Sequence, residues 1–238
     1  MTAPTPAAAP GRPGLAELLA ETSPAARRAR VEAQTRPVLP ALAPVLPDGR
    51  LPRGEAVEVL GSASLLLALA AGPASATPAT WSAVVGLPDL GLASMRGYGM
   101  PWERTLLVDR PADAWAEVVS ILAGACDVIL TEPPATLPAR QVERIAARLR
   151  ATGATMLTTT PWRGAALSLS TSGGVWFGLG EGHGILTGRE VTVHCTGRGR
   201  AARGRSARLL LPDASGGVSA VESAAQVEPV VQIGRASA

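Results

Sequence analysis

The stretch VEVLGSASLLLALA, residues 57–70, reads as a strand ending in Gly61, a short turn and an apolar helix. A phosphate-binding loop of the pattern G-x-x-x-x-G-K-[ST] stands at such a junction, because backbone N–H groups at a helix N-terminus can wrap a phosphate. Counted from Gly61, the second glycine, the lysine and the hydroxyl are replaced by Leu66, Leu67 and Ala68. What remains of the loop is Gly61 with Ser62 and Ser64, which suit helix capping. Two carboxylates could complete a nucleotide site. Glu132, at the end of the apolar run DVILTEPP, has the position of an acid that helps to hold Mg²⁺ on phosphates. Asp89, in VVGLPDLGL, could activate a water or cap the next helix. The missing lysine makes ordinary ATP chemistry the weaker expectation at this loop, and no catalytic residue is assigned.

Composition points the same way. All 22 basic residues of the 238 are arginine, so lysine-dependent phosphate binding and Schiff-base catalysis are excluded. Aromatic residues make up 3%, which leaves Leu, Val, Ile and Ala to build the core. Net charge is +3, too little by itself to imply nucleic-acid binding. Cys126 and Cys195 lack zinc-type spacing, which suggests a reduced, cytoplasmic protein. His183, His194 and Cys195 offer no third ligand at sensible spacing. Neither a metal nor a cofactor is expected. The N-terminus lacks the charge and apolar pattern of a signal peptide, and no uncharged apolar run is long enough to span a membrane.

One charge cluster stands out. TGRGRAARGRSAR, residues 196–208, carries Arg198, Arg200, Arg203, Arg205 and Arg208 with no acid among them. It reads equally as a mobile, phosphate-contacting loop or as a solvated hairpin tip. The GLGEGHG stretch, 178–184, lies between strands and so reads as a turn rather than a dinucleotide fingerprint.

The elements that would position these residues alternate as strand and helix from Glu55 to Thr159, then continue as strands alone to Leu211. That pattern predicts a parallel sheet flanked by helices, with an antiparallel extension. Residues 1–13 read as a disordered N-terminus. Residues 14–44 read as a helical segment, interrupted or restarted at Pro24, followed by a proline-rich linker. Residues 45–212 form the core. Residues 213–238 read as a disordered tail whose apolar patch, Val230, Val231 and Ile233, is a candidate partner contact.

The order of these features resembles the RecA core. LPRGEAVEVLG resembles the entry to its phosphate loop, CDVILTEPP its Walker-B strand, and the stretch from SLSTSGG to RLLLP its closing β-hairpin region. VVGLPDLGL and GLGEGHG resemble more closely the actinobacterial ImuA group (ImuA-prime), RecA-like proteins without ATPase motifs. The resemblance covers roughly residues 45–212 and implies a non-catalytic role in an SOS-induced mutasome. The implied partners are an ImuB-type inactive Y-family protein and, through it, an error-prone DnaE-type polymerase. RecA and DNA are further candidates. The RecA DNA-binding loop is shortened here to TTPWRGA. Two other readings remain open: an atypical nucleotide hydrolase using Glu132 or Asp89, and a basic DNA-binding module.

Overall fold

The structure is a computed structural model that describes residues 23–180 and 183–221. Its dominant feature is a nine-stranded sheet assembled from β3 (Ala56–Leu60), β4 (Ser82–Val85), β5 (Thr105–Val108), β6 (Val128–Thr131), β7 (Thr155–Thr158), β8 (Leu167–Gly180), β9 (His183–Gly197), β10 (Arg205–Leu210) and β11 (Ser219–Ala220). The order across the sheet is β11-β10-β9-β8-β3-β7-β6-β4-β5. From β8 to β5 all neighbours are parallel; β8 to β11 pair antiparallel. The fold class is therefore the expected one in its architecture: α/β, a mainly parallel sheet flanked by helices, with an antiparallel C-terminal β extension.

Alternation along the central strands explains why they are apolar throughout. Val57, Val59, Val84, Val128, Leu130 and Leu157 face one core, shared with α2 (Ala63–Ala76) and α3 (Leu92–Tyr98). Ala56, Ala83, Val85, Ile129 and Met156 face the other, shared with α4 (Trp115–Leu122) and α5 (Ala139–Thr152). Strands covered on both faces need side chains suited to burial on each. Every residue of α2 from Leu65 to Ala74 is buried. In α5 only Ile145 and Leu149 are buried, as its four-residue apolar spacing predicts.

Three expectations need correction. The segment after residue 34 is no linker. Thr35–Arg36 (β1) pairs antiparallel with Leu51–Pro52 (β2), and Leu42, Val45 and Leu46 are fully buried in the α2-side core. Its prolines shape 3₁₀ turns at Pro40–Val45 and Pro47–Gly49 instead of holding it away from the body. The ordered body also extends past residue 212. Asp213 Oδ1 accepts hydrogen bonds from the backbone N–H groups of Ser215 and Gly217 (2.9 and 3.0 Å), which folds the next residues into a turn, and β11 then pairs with β10. Finally, of the two readings of the basic stretch the mobile loop gives way to the hairpin tip: Gly199–Ala201 is a 3₁₀ turn between the antiparallel β9 and β10, and β10 begins at Arg205.

Among the described residues, 23–34 belong to a unit separate from the body that starts at Thr35. Within it, α1 (Pro24–Gln34) starts at Pro24, with Ser23 Oγ accepting from the Ala26 N–H at 3.1 Å. Proline suits that first turn because its missing N–H would be unpaired there anyway. None of the α1 residues is buried. The predicted disorder of 1–13, the helical pattern of 14–22 and the patch Val230, Val231 and Ile233 lie outside the described residues. No described helix is long and apolar enough to cross a membrane.

Candidate functional site

Parallel strands end together, and their C-terminal ends open a cleft of about 370 Å³ between the turns that follow them. Gly61, Ser62 and Leu66 form one wall. Asp89 and Leu90 form another, and Glu132, Thr159 and Thr160 complete it. Three separate sequence signals, the emptied loop, Asp89 and Glu132, thus meet in one place. Their convergence follows from topology: β3, β4, β6 and β7 are parallel neighbours, so the residue just past each strand falls at the same sheet edge.

The loop's own contacts are those of a capped helix start. Gly61 has φ +72°, the left-handed turn that glycine adopts readily. Ser62 is the N-cap of α2, and its Oγ accepts from the Leu65 N–H at 3.2 Å, while its carbonyl accepts from the Leu66 N–H at 3.1 Å. Ser64 does not line the cleft; it hydrogen-bonds Tyr98 on α3. Burial raises the Tyr98 pKa, partly offset by that bond, and nearby Asp213 raises it further. The positions of the missing lysine and hydroxyl, Leu67 and Ala68, are buried in the core. Asp89 and Glu132 are exposed at the rim, and the buried Thr159 Oγ1 has no partner. The arrangement can hold a polar guest at its rim, but offers it no positive side chain.

Trp162 explains how the TTPWRGA turn is held. Its indole is buried against Trp115, with ring centroids 6.0 Å apart, and its backbone N–H donates to Glu58 Oε1 at 2.7 Å. Trp115 Nε1–H in turn donates to Thr131 Oγ1 at 2.8 Å. Two of five tryptophans in an aromatic-poor chain were the signal for these anchors. Beside this turn lies a larger cavity of about 620 Å³, lined by Asp113, Trp115, Glu132 and the prolines that follow it.

Three arginines of the basic stretch lie against acids from distant sequence. Arg200 Nη1 lies 2.9 Å from Asp48 Oδ1, and Arg198 Nη2 lies 3.9 Å from Glu55 Oε2. Arg208 Nε donates to Glu190 Oε1 at 2.7 Å. Arg203 and Arg205 are exposed. His194 and Cys195 point to opposite faces of β9, as strand geometry requires. His194 Nε2 is 2.6 Å from Ser172 Oγ, whereas Cys195 is in the core. Burial pushes the thiols of Cys126 and Cys195 up to about 11. Among the described residues no three His, Cys, Asp or Glu side chains gather as metal ligands.

With this geometry in view, similarity to known proteins can be set out. The family model described as the MT3502 N-terminal domain matches residues 44–164, which is just over half of the chain. Among solved structures, the flagellar accessory protein FlaH from Methanocaldococcus jannaschii aligns at 12% identity with a TM-score of 0.48, covering 74% of this chain and 92% of that one. No curated protein matches the sequence. The matched span runs from the buried 3₁₀ turn before β2, through every parallel strand up to β7, to the turn anchored by Trp162. On that match the chain belongs to the MT3502 N-terminal domain family.

Proposed function

We propose that this chain is a non-catalytic, RecA-like adaptor of a translesion-synthesis mutasome. In this reading it acts in the cytoplasm during the SOS response to DNA damage. It docks an ImuB-type inactive Y-family protein and, through it, an error-prone DnaE-type polymerase, so that damage is tolerated at the expense of mutation. The observation that supports the reading most is the sealing of the loop: Leu66, Leu67 and Ala68 are 0–2% exposed where a nucleotide motor needs a glycine, a lysine and a hydroxyl. A RecA-like core without that chemistry keeps the surfaces of the fold and loses its motor.

The test has two parts. A fluorescent ATP analogue titrated with Mg²⁺ should give no saturable signal, and no phosphate should be released. The purified chain should co-elute with the ImuB-type protein and, only when that protein is present, with the DnaE-type polymerase. Saturable turnover, or failure to co-elute with ImuB, would overturn the adaptor reading.

A second reading draws on the meeting of Asp89 and Glu132 in the 370 Å³ cleft. An atypical hydrolase would use one of them as base, with an arginine from elsewhere replacing the lysine. It predicts phosphate release that disappears in Glu132→Ala or Asp89→Ala. No release from the unmodified protein ends it.

A further inference from the structure

A second cleft opens at the other end of the parallel strands, where β3 and β8 begin. It encloses about 330 Å³ and is lined by Thr35, Pro47, Asp48, Arg50, Pro52, Ala166, Leu167 and the 198–201 turn. Three arginines from two distant parts of the chain, Arg50, Arg198 and Arg200, line it. Only Arg198 and Arg200 belong to the basic stretch.

Two of the guanidiniums are anchored by a hydrogen bond and the third by an ion pair. Arg50 Nε–H donates to Thr35 Oγ1 at 2.7 Å. Arg198 Nη2–H donates to the Gly164 carbonyl at 2.8 Å. Arg200 Nη1 meets Asp48 Oδ1 at 2.9 Å. A guanidinium carries five N–H donors, so each keeps unused donors after its anchoring bond. The backbone between two of them is also fixed: the Ala201 N–H donates to the Arg198 carbonyl at 3.2 Å, and Ala201 is buried. Against three cations the lining supplies one carboxylate, Asp48, with Glu55 3.9 Å from Arg198. Three guanidiniums against two carboxylates leave one positive charge in excess at the cleft, with N–H donors beyond the anchoring contacts that suit a phosphate.

The rest of the lining is apolar. Pro47, Pro52, Ala166, Leu167 and Ala201 provide surface that an inorganic ion would not use but a ring or sugar would. The volume is at the small end of ligand-site sizes, enough for a single nucleotide-sized unit.

We infer that this cleft binds the phosphate of one nucleotide unit through Arg50, Arg198 and Arg200, with the sugar or base against its apolar side. The unit could belong to a free nucleotide or to a single strand of nucleic acid, since both present the same chemistry. The inference holds whether or not the chain recruits a polymerase.

The experiment uses the full chain and three probes: inorganic phosphate, dAMP and a fluorescently labelled oligo-dT of about ten residues. Binding is followed by calorimetry for the small probes and by anisotropy for the oligonucleotide, at several salt concentrations. dAMP should bind more tightly than phosphate. Arg50→Gln and Arg200→Gln should each weaken dAMP by about tenfold or more, the loss expected for one charge-assisted hydrogen bond. Arg203→Gln, outside the cleft, should stay within about twofold. Oligonucleotide binding that dAMP competes away assigns the site to nucleic acid, and dAMP binding alone assigns it to a free nucleotide. For the oligonucleotide, a one-phosphate site predicts a log–log salt slope of about −0.7, whereas contact through all five arginines of the basic stretch would approach about −3.5. Thermal melting of each variant reports folding, and Arg198→Gln replaces either variant that does not fold. Unchanged dAMP affinity in the cleft variants, equal affinity for phosphate and dAMP, or no dAMP binding at millimolar concentration overturns the inference.

Discussion

Arg36 and Asp127 are 91 positions apart in sequence and 2.9 Å apart in space. The pair fastens the segment before β2 to the start of β6. Arg36 Nη2–H also donates to the Gly153 carbonyl at 2.9 Å, and Asp127 Oδ2 accepts from the Trp81 N–H at 3.1 Å. Burial lowers the Arg36 pKa, and Asp127 partly restores it. Arg36→Met should cost about 1–3 kcal/mol, because it strands a half-buried carboxylate and a carbonyl. Asp127→Asn should cost less, and the double variant less than the sum, as urea unfolding of all three can show.

Two α-helical glycines make close backbone approaches. A Cβ on Gly72 would collide with the Val38 backbone, and one on Gly97 would lie 2.6 Å from the Gly216 carbonyl oxygen. Both positions are helical, where alanine normally stabilises by about 0.5–1 kcal/mol. Here the sign should reverse. Gly72→Ala and Gly97→Ala should each lower stability by about 1–3 kcal/mol, because backbone cannot move aside as a side chain can. A raised melting temperature for either would refute the contact.

Asp213 gives the C-terminal turn a pH dependence. Partial burial would raise its pKa, but hydrogen bonds from Ser215, Gly217 and Ser219 outweigh this and hold it below the usual carboxylate range. The unfolded chain therefore binds this proton more tightly than the folded one. The stabilisation is fully present above about pH 4 and is lost as pH falls through the lower folded-state value. Asp213→Asn should remove about 1 kcal/mol at neutral pH and flatten the acid limb of the stability curve. Parallel acid limbs for the two proteins would contradict it.

The two thiols should be silent in the native state. With values near 11, roughly one thiol in a thousand is ionised at pH 8. Both should react with a disulfide reagent only after denaturant unfolds the chain. Rapid labelling of either one in buffer would mean that its core opens locally.

Much of the central architecture was legible because periodicity carries it. The run VILT of β6 is apolar on both faces, and Val142, Ile145 and Leu149 repeat at helical spacing, so strand and helix separate cleanly. The cleft was legible only in pieces. Gly61, Asp89 and Glu132 each follow a strand, but their meeting depends on strand order, which no local pattern encodes. The segment 35–46 misled because its prolines were read as an extended connector, although Leu42, Val45 and Leu46 suit a core. The D-A-S-G-G turn after Pro212 was hidden by its small residues, which are as common in tails as in Asx turns. The basic stretch misled for another reason. Its counter-charges, Asp48, Glu55 and Glu190, lie elsewhere in sequence, so charge counted within a window overstated what is free.

The burial of α2 on every side has a mechanical consequence. In a nucleotide-driven machine, the element behind the phosphate loop is a lever: it shifts when the phosphate arrives or leaves. Here that element is an axle set in the middle of the molecule. Leu65 to Ala74 touch core all round, and Gly72 is pressed against the chain at Val38. Moving it would open voids on one side and collisions on the other. A guest in the Gly61 cleft would therefore meet a helix packed on every side behind it.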